Sequence, residues 1–261
     1  MSARPVPIRD GLFSVEVAES GTGRPTLYLH GELLPPTWQP WMDGFATDRR
    51  LIAPQHPGFG RSTGLEHLDD LLDLVVYYLD VLDVLDLDAF DLIGESFGGM
   101  LAAEIAAFAP RRVRRLALIA PIGLWIDGVP TPDVFGLPAS ELHQLAWSDP
   151  SSQAARGFAP DLGDDAERFR ATIERTRSLM AAGKFVWPIA DKGLRKRLHR
   201  ITAPTLLLWG DRDQVVQPAY GRLFQGKIRG SELVTVANAG HFPLLEQPPE
   251  AVAALRSFFD R

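Results

Sequence analysis

Residues 90–100 read FDLIGESFGGM: an apolar run, then a tight turn of small residues around Ser96, then the start of an alanine-rich helix. The pattern G-x-S-x-G indicates a nucleophile where a strand ends abruptly in a helix, and this stretch has that setting. Side chains beside so sharp a turn would collide. Gly94 and Gly98 have none, so the turn can close and lift the Ser96 hydroxyl above the sheet edge. The stretch predicts a nucleophilic serine.

Phe97 follows this serine and begins the predicted helix. Its backbone N–H has no partner within the helix, and the helix dipole adds positive potential at the same end. Donors aimed at the place where negative charge develops stabilise an oxyanion. The Phe97 N–H is therefore predicted to be an oxyanion donor.

A serine nucleophile needs a base, and three histidines follow Ser96 in the chain. His143 and His199 lie in ELHQLAW and RKRLHRI, which are typical of surface helices. His241 instead follows the β-branched strand ELVTVA and the turn Asn-Ala-Gly. A histidine on a loop just past a late strand can reach over the sheet edge, so His241 is the predicted base.

The acid that orients this base has three candidates. Asp211 and Asp213 both follow the buried strand TLLLW (205–209), and Asp127 is more distant, after the strand that ends near residue 119. Asp213 lies deeper in its loop, whereas Asp211 directly follows a glycine and is placed to cap the turn. We favour Asp213 as the partner of His241 and keep the other two as alternatives.

Composition excludes several classes of protein. The chain has 261 residues, a net charge of −6 and no cysteine, which argues against a nucleic-acid footprint, disulfides and thiolate metal sites. No motif for a metal, nucleotide or dinucleotide is present, so we expect no cofactor. The N-terminal stretch MSARPVPIRDG lacks the apolar core of a signal peptide, and no run is long enough to span a membrane. A cytoplasmic enzyme without a membrane partner is expected.

Strand and helix patterns alternate along most of the chain. Residues 12–18 and 26–29 predict strands, with Gly21-Thr22-Gly23 as a hairpin turn between them, and residues 65–85 predict an amphipathic helix. Such alternation predicts an α/β fold in which helices flank a mostly parallel sheet. Ligands bind such sheets at the carboxyl ends of the strands, where Ser96, Asp213 and His241 should meet.

Residues 121–200 break this alternation. They contain no convincing strand, and helix signals begin near Ser140, Asp164 and Gly193. We expect a helical cap (121–200) over the catalytic edge of a core formed by 1–120 and 201–261. Four aromatic residues are candidates to line an apolar pocket for a small-molecule substrate, although packing within the protein core is the alternative for each: Trp38, Trp125, Trp187 and Phe242.

Five stretches, in order, resemble the α/β-hydrolase superfamily over nearly the whole chain. They are LYLHGE (27–32), APQHPGFGRS (53–62), LIGESFGG (92–99), LLLWGDRDQVV (206–216) and NAGHFPLLEQPPE (238–250). Gln55 stands where an aspartate is common in this family. The resemblance implies a Ser96, Asp213 and His241 triad, with a second oxyanion N–H from Glu32, the residue after the His-Gly pair.

The side chain of Glu32 departs from the apolar or small residue that is commoner at this position. A negative charge beside a developing oxyanion opposes catalysis unless it points away or is paired, so its role stays open here. The resemblance implies hydrolysis of a carboxylic ester through an acyl-enzyme. Hydrolysis of a carbon–carbon, thioester or lactone bond is the alternative. A non-catalytic ligand receptor or a cyanohydrin lyase is less favoured, and the sequence does not set the oligomeric state.

Overall fold

The computed structural model of the protein describes residues 1–159, 161, 163–189 and 191–261. Within these ranges the strands are β1 Ser2–Ile8, β2 Phe13–Ser20, β3 Arg24–Leu29, β4 Arg49–Pro54, β5 Phe90–Glu95, β6 Val113–Ile119, β7 Thr205–Gly210 and β8 Glu232–Val236. They form one sheet in the order β1-β2-β4-β3-β5-β6-β7-β8. Only β2 pairs antiparallel with its neighbours β1 and β4. The predicted mostly parallel α/β sheet is therefore confirmed.

Helices cover both faces of this sheet. They are α1 Pro40–Phe45, α2 Leu71–Val84, α3 Ser96–Phe108, α4 Ala139–Ala146, α5 Gln153–Arg156, α6 Asp165–Val186, α7 Ala219–Lys227, α8 Pro243–Glu246 and α9 Pro248–Phe259. Buried residues of α2 and α3 belong to one apolar cluster, and those of α1 and α9 to another. Among the described residues, no helix has the length and apolar character that crossing a bilayer requires.

The predicted hairpin at Gly21-Thr22-Gly23 is wrong. Strand β2 pairs with β4, and β3 lies on the far side of β4, next to β5. The glycine is needed for another reason: a Cβ on Gly21 would lie 2.1 Å from the carbonyl oxygens of Ala46 and Arg49. The hairpin of this region joins β1 to β2 instead, through a turn in which Arg9 and Asp10 have φ values of 50° and 54°.

Residues 121–200 contain helices α4, α5 and α6 and, in their described part, no strand. The third predicted helix, from Gly193, is reduced to two short 3-10 turns, Leu194–Lys196 and Leu198–Arg200. Several hydrogen bonds tie this segment to the sheet domain, and two connections lie close to α3 and His241. Arg197 donates twice to the buried carboxylate of Glu104 on α3, each time at 2.6 Å. The carbonyl oxygen of Ala146 accepts from the His241 N–H at 2.7 Å.

Candidate active site

Ser96 lies at the junction of β5 and α3, with its backbone in the left-handed region at φ 51°. A non-glycine residue is held there only when its surroundings determine it, and here two close approaches do so. A Cβ on Gly94 would lie 2.4 Å from the Gly98 carbonyl oxygen, and one on Gly98 would lie 2.2 Å from the Leu29 carbonyl oxygen. The glycines thus let α3 start against the ends of β5 and β3, which aims Ser96 over the sheet edge.

Ser96, His241 and Asp213 form one hydrogen-bonded chain. His241 Nε2 lies 3.0 Å from Ser96 Oγ, and His241 Nδ1 donates to Asp213 Oδ2 at 2.9 Å. The ring of His241 is fully buried. Asp213 is fixed in turn, since its Oδ1 accepts from the backbone N–H groups of Val215 and Val216, both at 2.9 Å. The arrangement can move a proton from a serine hydroxyl to an imidazole.

The two alternative acids lie elsewhere. Asp211 accepts from the Ala239 N–H at 3.3 Å, which is the turn-capping role that its position suggests. Asp127 is exposed and accepts from the indole N–H of Trp125 at 3.0 Å. Neither carboxylate contacts the His241 ring. Of the three candidates, the geometry selects Asp213.

The other side of Ser96 is occupied by the side chain of Glu32. Its Oε1 accepts from the Ser96 hydroxyl at 3.1 Å, and its Oε2 accepts from the Phe97 N–H at 3.1 Å. Glu32 lies three residues after the end of β3 and is only 2% exposed. The carboxylate therefore takes the hydrogen bond that an oxyanion would receive from Phe97. The sequence predicted the Glu32 backbone N–H for this site but did not predict that its side chain would enter it.

Carboxylates surround His241 and set its charge. Burial lowers the pKa of His241, but Asp213, Glu32 and Glu95 together outweigh burial and raise this pKa to about 9. At neutral pH the imidazole in this arrangement is therefore protonated and can donate to Ser96 Oγ. The serine hydroxyl then points its own proton at Glu32. Only a neutral His241 can accept a proton from the Ser96 hydroxyl.

Glu95, inside the G-E-S-F-G motif, was missed as a site residue. Its carboxylate accepts from the Tyr28 hydroxyl at 2.7 Å, and burial raises its pKa. It lines a cavity beside Ser96. The second position of the motif carried a signal, because a charged residue there must lie at the end of β5 in the interior.

Two neutral histidines hold the loop after β3 in place. Burial lowers the pKa of His30 to about 4, and burial together with His30 lowers the pKa of His56 well below its usual value. His30 Nε2 accepts from the His56 N–H at 3.1 Å, and His30 Nδ1 donates to the Gly31 carbonyl at 2.8 Å. His56 Nε2 donates back to the His30 carbonyl at 2.9 Å. This network fixes the backbone that leads into Glu32.

Two small cavities flank Ser96. One of about 40 Å³ reaches from Glu32 to the 121–200 segment and is otherwise mainly apolar, with Met100, Ile122, Leu124, Val134, Phe135 and Val186 in its wall. The other, of about 20 Å³, is lined by Ser96, Glu95 and Phe242, and the substrate-pocket role of Phe242 stays a prediction. Within the described ranges, no group of three or more His, Asp or Glu side chains is placed to hold a metal ion.

Three of the tryptophans predicted to line the pocket lie outside the two cavity walls, so their pocket roles stay predictions. Trp38, Trp125 and Trp187 are absent from the walls of both cavities. The indole N–H of Trp38 donates to Asp43 at 2.8 Å, while Trp187 is 55% exposed and packs edge-on against Phe135.

Comparison with known proteins agrees with the fold. The family model described as alpha/beta hydrolase fold matches residues 24–248. A 2-hydroxy-6-oxo-2,4-heptadienoate hydrolase of Pseudomonas putida is 28% identical, covering 91% of this chain and 89% of its own length. A pimeloyl-[acyl-carrier protein] methyl ester esterase of Neisseria meningitidis is 25% identical, covering 65% and 69%. The solved esterase of Exiguobacterium antarcticum superposes with a TM-score of 0.78 over all of both chains at 18% identity.

Proposed function

Because this chain belongs to the α/β-hydrolase family, we propose that it is a serine hydrolase that cleaves a carboxylic ester of a small, uncharged substrate. The observation that carries the proposal is the continuous chain from Asp213 through His241 to Ser96, with contacts of 2.9 and 3.0 Å. Such a chain supplies a nucleophile, a base and the group that fixes the base's tautomer.

Acylation starts from the form in which His241 is neutral. Ser96 Oγ attacks the ester carbonyl carbon while His241 Nε2 takes the hydroxyl proton, and Asp213 stabilises the imidazolium that forms. The tetrahedral intermediate collapses as His241 returns the proton to the leaving alkoxide oxygen. This step releases the alcohol and leaves an ester between the acyl group and Ser96.

The oxyanion formed by this attack takes its hydrogen bonds from the backbone. The Phe97 N–H is one donor and the Glu32 N–H is the proposed second. For Phe97 to donate, the Glu32 carboxylate must give up its present contact of 3.1 Å with that N–H. The substrate carbonyl oxygen therefore competes with a side chain of the same chain for this donor.

Deacylation repeats the sequence with water as the nucleophile. Water attacks the acyl carbon while His241 takes its proton, and His241 then gives that proton to Ser96 Oγ as the bond from Oγ to the acyl carbon breaks. The acyl product leaves as a carboxylic acid and Ser96 is regenerated. We assign the 121–200 segment the role of a cap, because its residues Ile122, Leu124 and Val134 form much of the apolar wall beside Glu32. An apolar wall of this kind supports an uncharged acyl group.

Carbon–carbon hydrolysis is the second candidate, since the 28% identical Pseudomonas putida relative is named a heptadienoate hydrolase.

A panel of substrates separates ester hydrolysis from carbon–carbon hydrolysis. It contains p-nitrophenyl esters of rising chain length and the 2-hydroxy-6-oxo-2,4-heptadienoate of that relative's name. The ester proposal expects steady turnover of short esters at about 1–10³ s⁻¹. This turnover should be lost in Ser96→Ala and kept in Ser151→Ala, which changes an exposed serine. Turnover of the dienoate alone would replace the ester proposal with the second candidate. Tight binding without repeated turnover would favour a receptor.

A further inference from the structure

The polar surroundings of Ser96 carry negative charge on three sides. Asp213 contacts the ring of His241, Glu32 contacts Ser96 itself, and Glu95 lines the adjoining cavity. All three carboxylates are buried. Among the described residues, His241 is the one side chain in contact with the serine that can carry a positive charge, and a hydrogen bond already commits it to Asp213.

The walls of the two cavities offer no balancing cation. Neither wall, as far as the described residues form it, contains a lysine or an arginine. His30 lines the second cavity but is neutral, because burial lowers its pKa to about 4. The basic stretch KGLRKRLHR (192–200) contributes no residue to either wall, and its Arg195 and Arg197 are paired with Asp191 and Glu104. A negative charge that enters these cavities finds no cationic partner in their described walls.

Among these carboxylates, Glu32 lies in contact with the atoms that would react. Its carboxylate accepts from Ser96 Oγ and from the Phe97 N–H while its stem leads into the mainly apolar cavity. A substrate must displace this carboxylate from the Phe97 N–H. The displaced group stays attached to the cavity wall, beside the acyl chain that has entered. An uncharged acyl chain tolerates this neighbour, a cationic one is attracted to it, and an anionic one is repelled.

We propose that Glu32 is a specificity-determining residue that selects acyl groups by charge: uncharged and cationic acyl esters are accepted, and esters whose acyl chain carries a carboxylate are rejected. This inference rests on the proposed ester hydrolysis. It adds which acyl charges the site accepts and names Glu32 as the residue that determines this preference.

Three p-nitrophenyl esters of one chain length test the proposal. They carry the adipate half-acid, its isopropyl isostere 6-methylheptanoate, and 5-(trimethylammonio)pentanoate. We expect kcat/KM of the wild-type protein for the adipate ester to be at least about tenfold below that for the isostere. The trimethylammonio ester should equal or exceed the isostere. Glu32→Gln keeps the shape of the side chain and removes its charge. In this variant the ratio of kcat/KM for the isostere to kcat/KM for the adipate ester should fall toward one.

The ratio between matched esters separates charge selection from any general change in rate that the substitution causes. Asp211→Asn is the matched control, because it removes a negative charge from the acid loop at an exposed residue outside both cavities. It should leave the ratio unchanged. Glu32→Asp keeps the charge and should keep the rejection of adipate, which covers the case in which the glutamine variant does not fold.

The possible failures are distinct. If the wild-type protein turns over none of the three esters, the proposed ester hydrolysis itself fails. If it turns them over with no preference between adipate and its isostere, charge selection is refuted even without a variant. A preference that persists unchanged in Glu32→Gln assigns selection to another residue and refutes the role of Glu32.

Discussion

On one side of Ser96, each polar atom of the His241 and Asp213 side chains has a partner, and the two residues hold one another in place. On the other side, the Phe97 N–H is bonded to the chain's own Glu32 carboxylate. The acid–base side is thus organised before substrate arrives, whereas the oxyanion side must rearrange.

The difference follows from what positions each side. Asp213 is held by two backbone N–H groups of its own loop, so its position is set by the fold. Glu32 has a long, rotatable side chain on a short loop after β3, so its carboxylate can leave while its backbone stays. The His30 and His56 network keeps that backbone fixed. Ser96 therefore contacts a histidine whose position is fixed by Asp213 and a Glu32 carboxylate that can be displaced.

The largest effect is expected from removing the contact between Asp213 and His241. Asp213→Asn should lower kcat by about 10⁴, the effect of the same change in a serine protease triad, because the histidine then adopts the wrong tautomer. Asp211→Asn, two residues away in the same loop, should change kcat little. Steady-state kinetics with a short ester measures both, and circular dichroism checks the folds. Greater damage from Asp211→Asn would place the acid one turn earlier in the loop.

A smaller effect concerns the displaceable side. Catalysis needs neutral His241, and its pKa is raised to about 9, so kcat/KM should rise with pH up to that region. Glu32 is one of the groups that raise this pKa. Glu32→Gln should therefore move the rising limb to lower pH, and the variant should gain most over the wild-type protein near neutral pH. A limb that stays in place would show that the Glu32 charge does not act on His241.

The smallest effect comes from Tyr28→Phe. This change removes the hydroxyl that donates to Glu95 at 2.7 Å and leaves the triad contacts intact. Without that donor Glu95 holds its proton more readily, so it raises the His241 pKa less. The rising limb should move in the same direction as in Glu32→Gln but by less, since Glu32 contributes more to this pKa than Glu95 does. A larger shift in Tyr28→Phe would reverse the ranking of the two carboxylates.

Local patterns predicted the parts of the fold that depend on neighbours in sequence. The glycines around Ser96 predict a tight turn because steric clashes act between close neighbours in the chain. The apolar run before Asp213 predicts a strand because its pattern can be read over a few residues. Strand pairing is not local, and the Gly21-Thr22-Gly23 hairpin failed because β4 inserts between β2 and β3. Strand β1 was missed because its exposed residues and two prolines lack the alternating apolar pattern.

The candidate site divides in the same way. Chain order and loop context selected Ser96 and His241, and the structure brings them together with Asp213, although their catalytic roles stay predictions. Where a side chain points is a tertiary property. Residue type therefore predicted neither the exposure of Trp187 nor the entry of the Glu32 carboxylate into the oxyanion site.

The central claim is that Ser96 is a nucleophile activated by His241, and covalent labelling tests it most directly. A fluorophosphonate probe, followed by mass analysis of the digested protein, should add one probe to the peptide that contains Ser96. Labelling should disappear in Ser96→Ala and persist in Ser151→Ala. Labelling that survives in Ser96→Ala, or a folded wild-type protein that takes up no probe, would contradict the account.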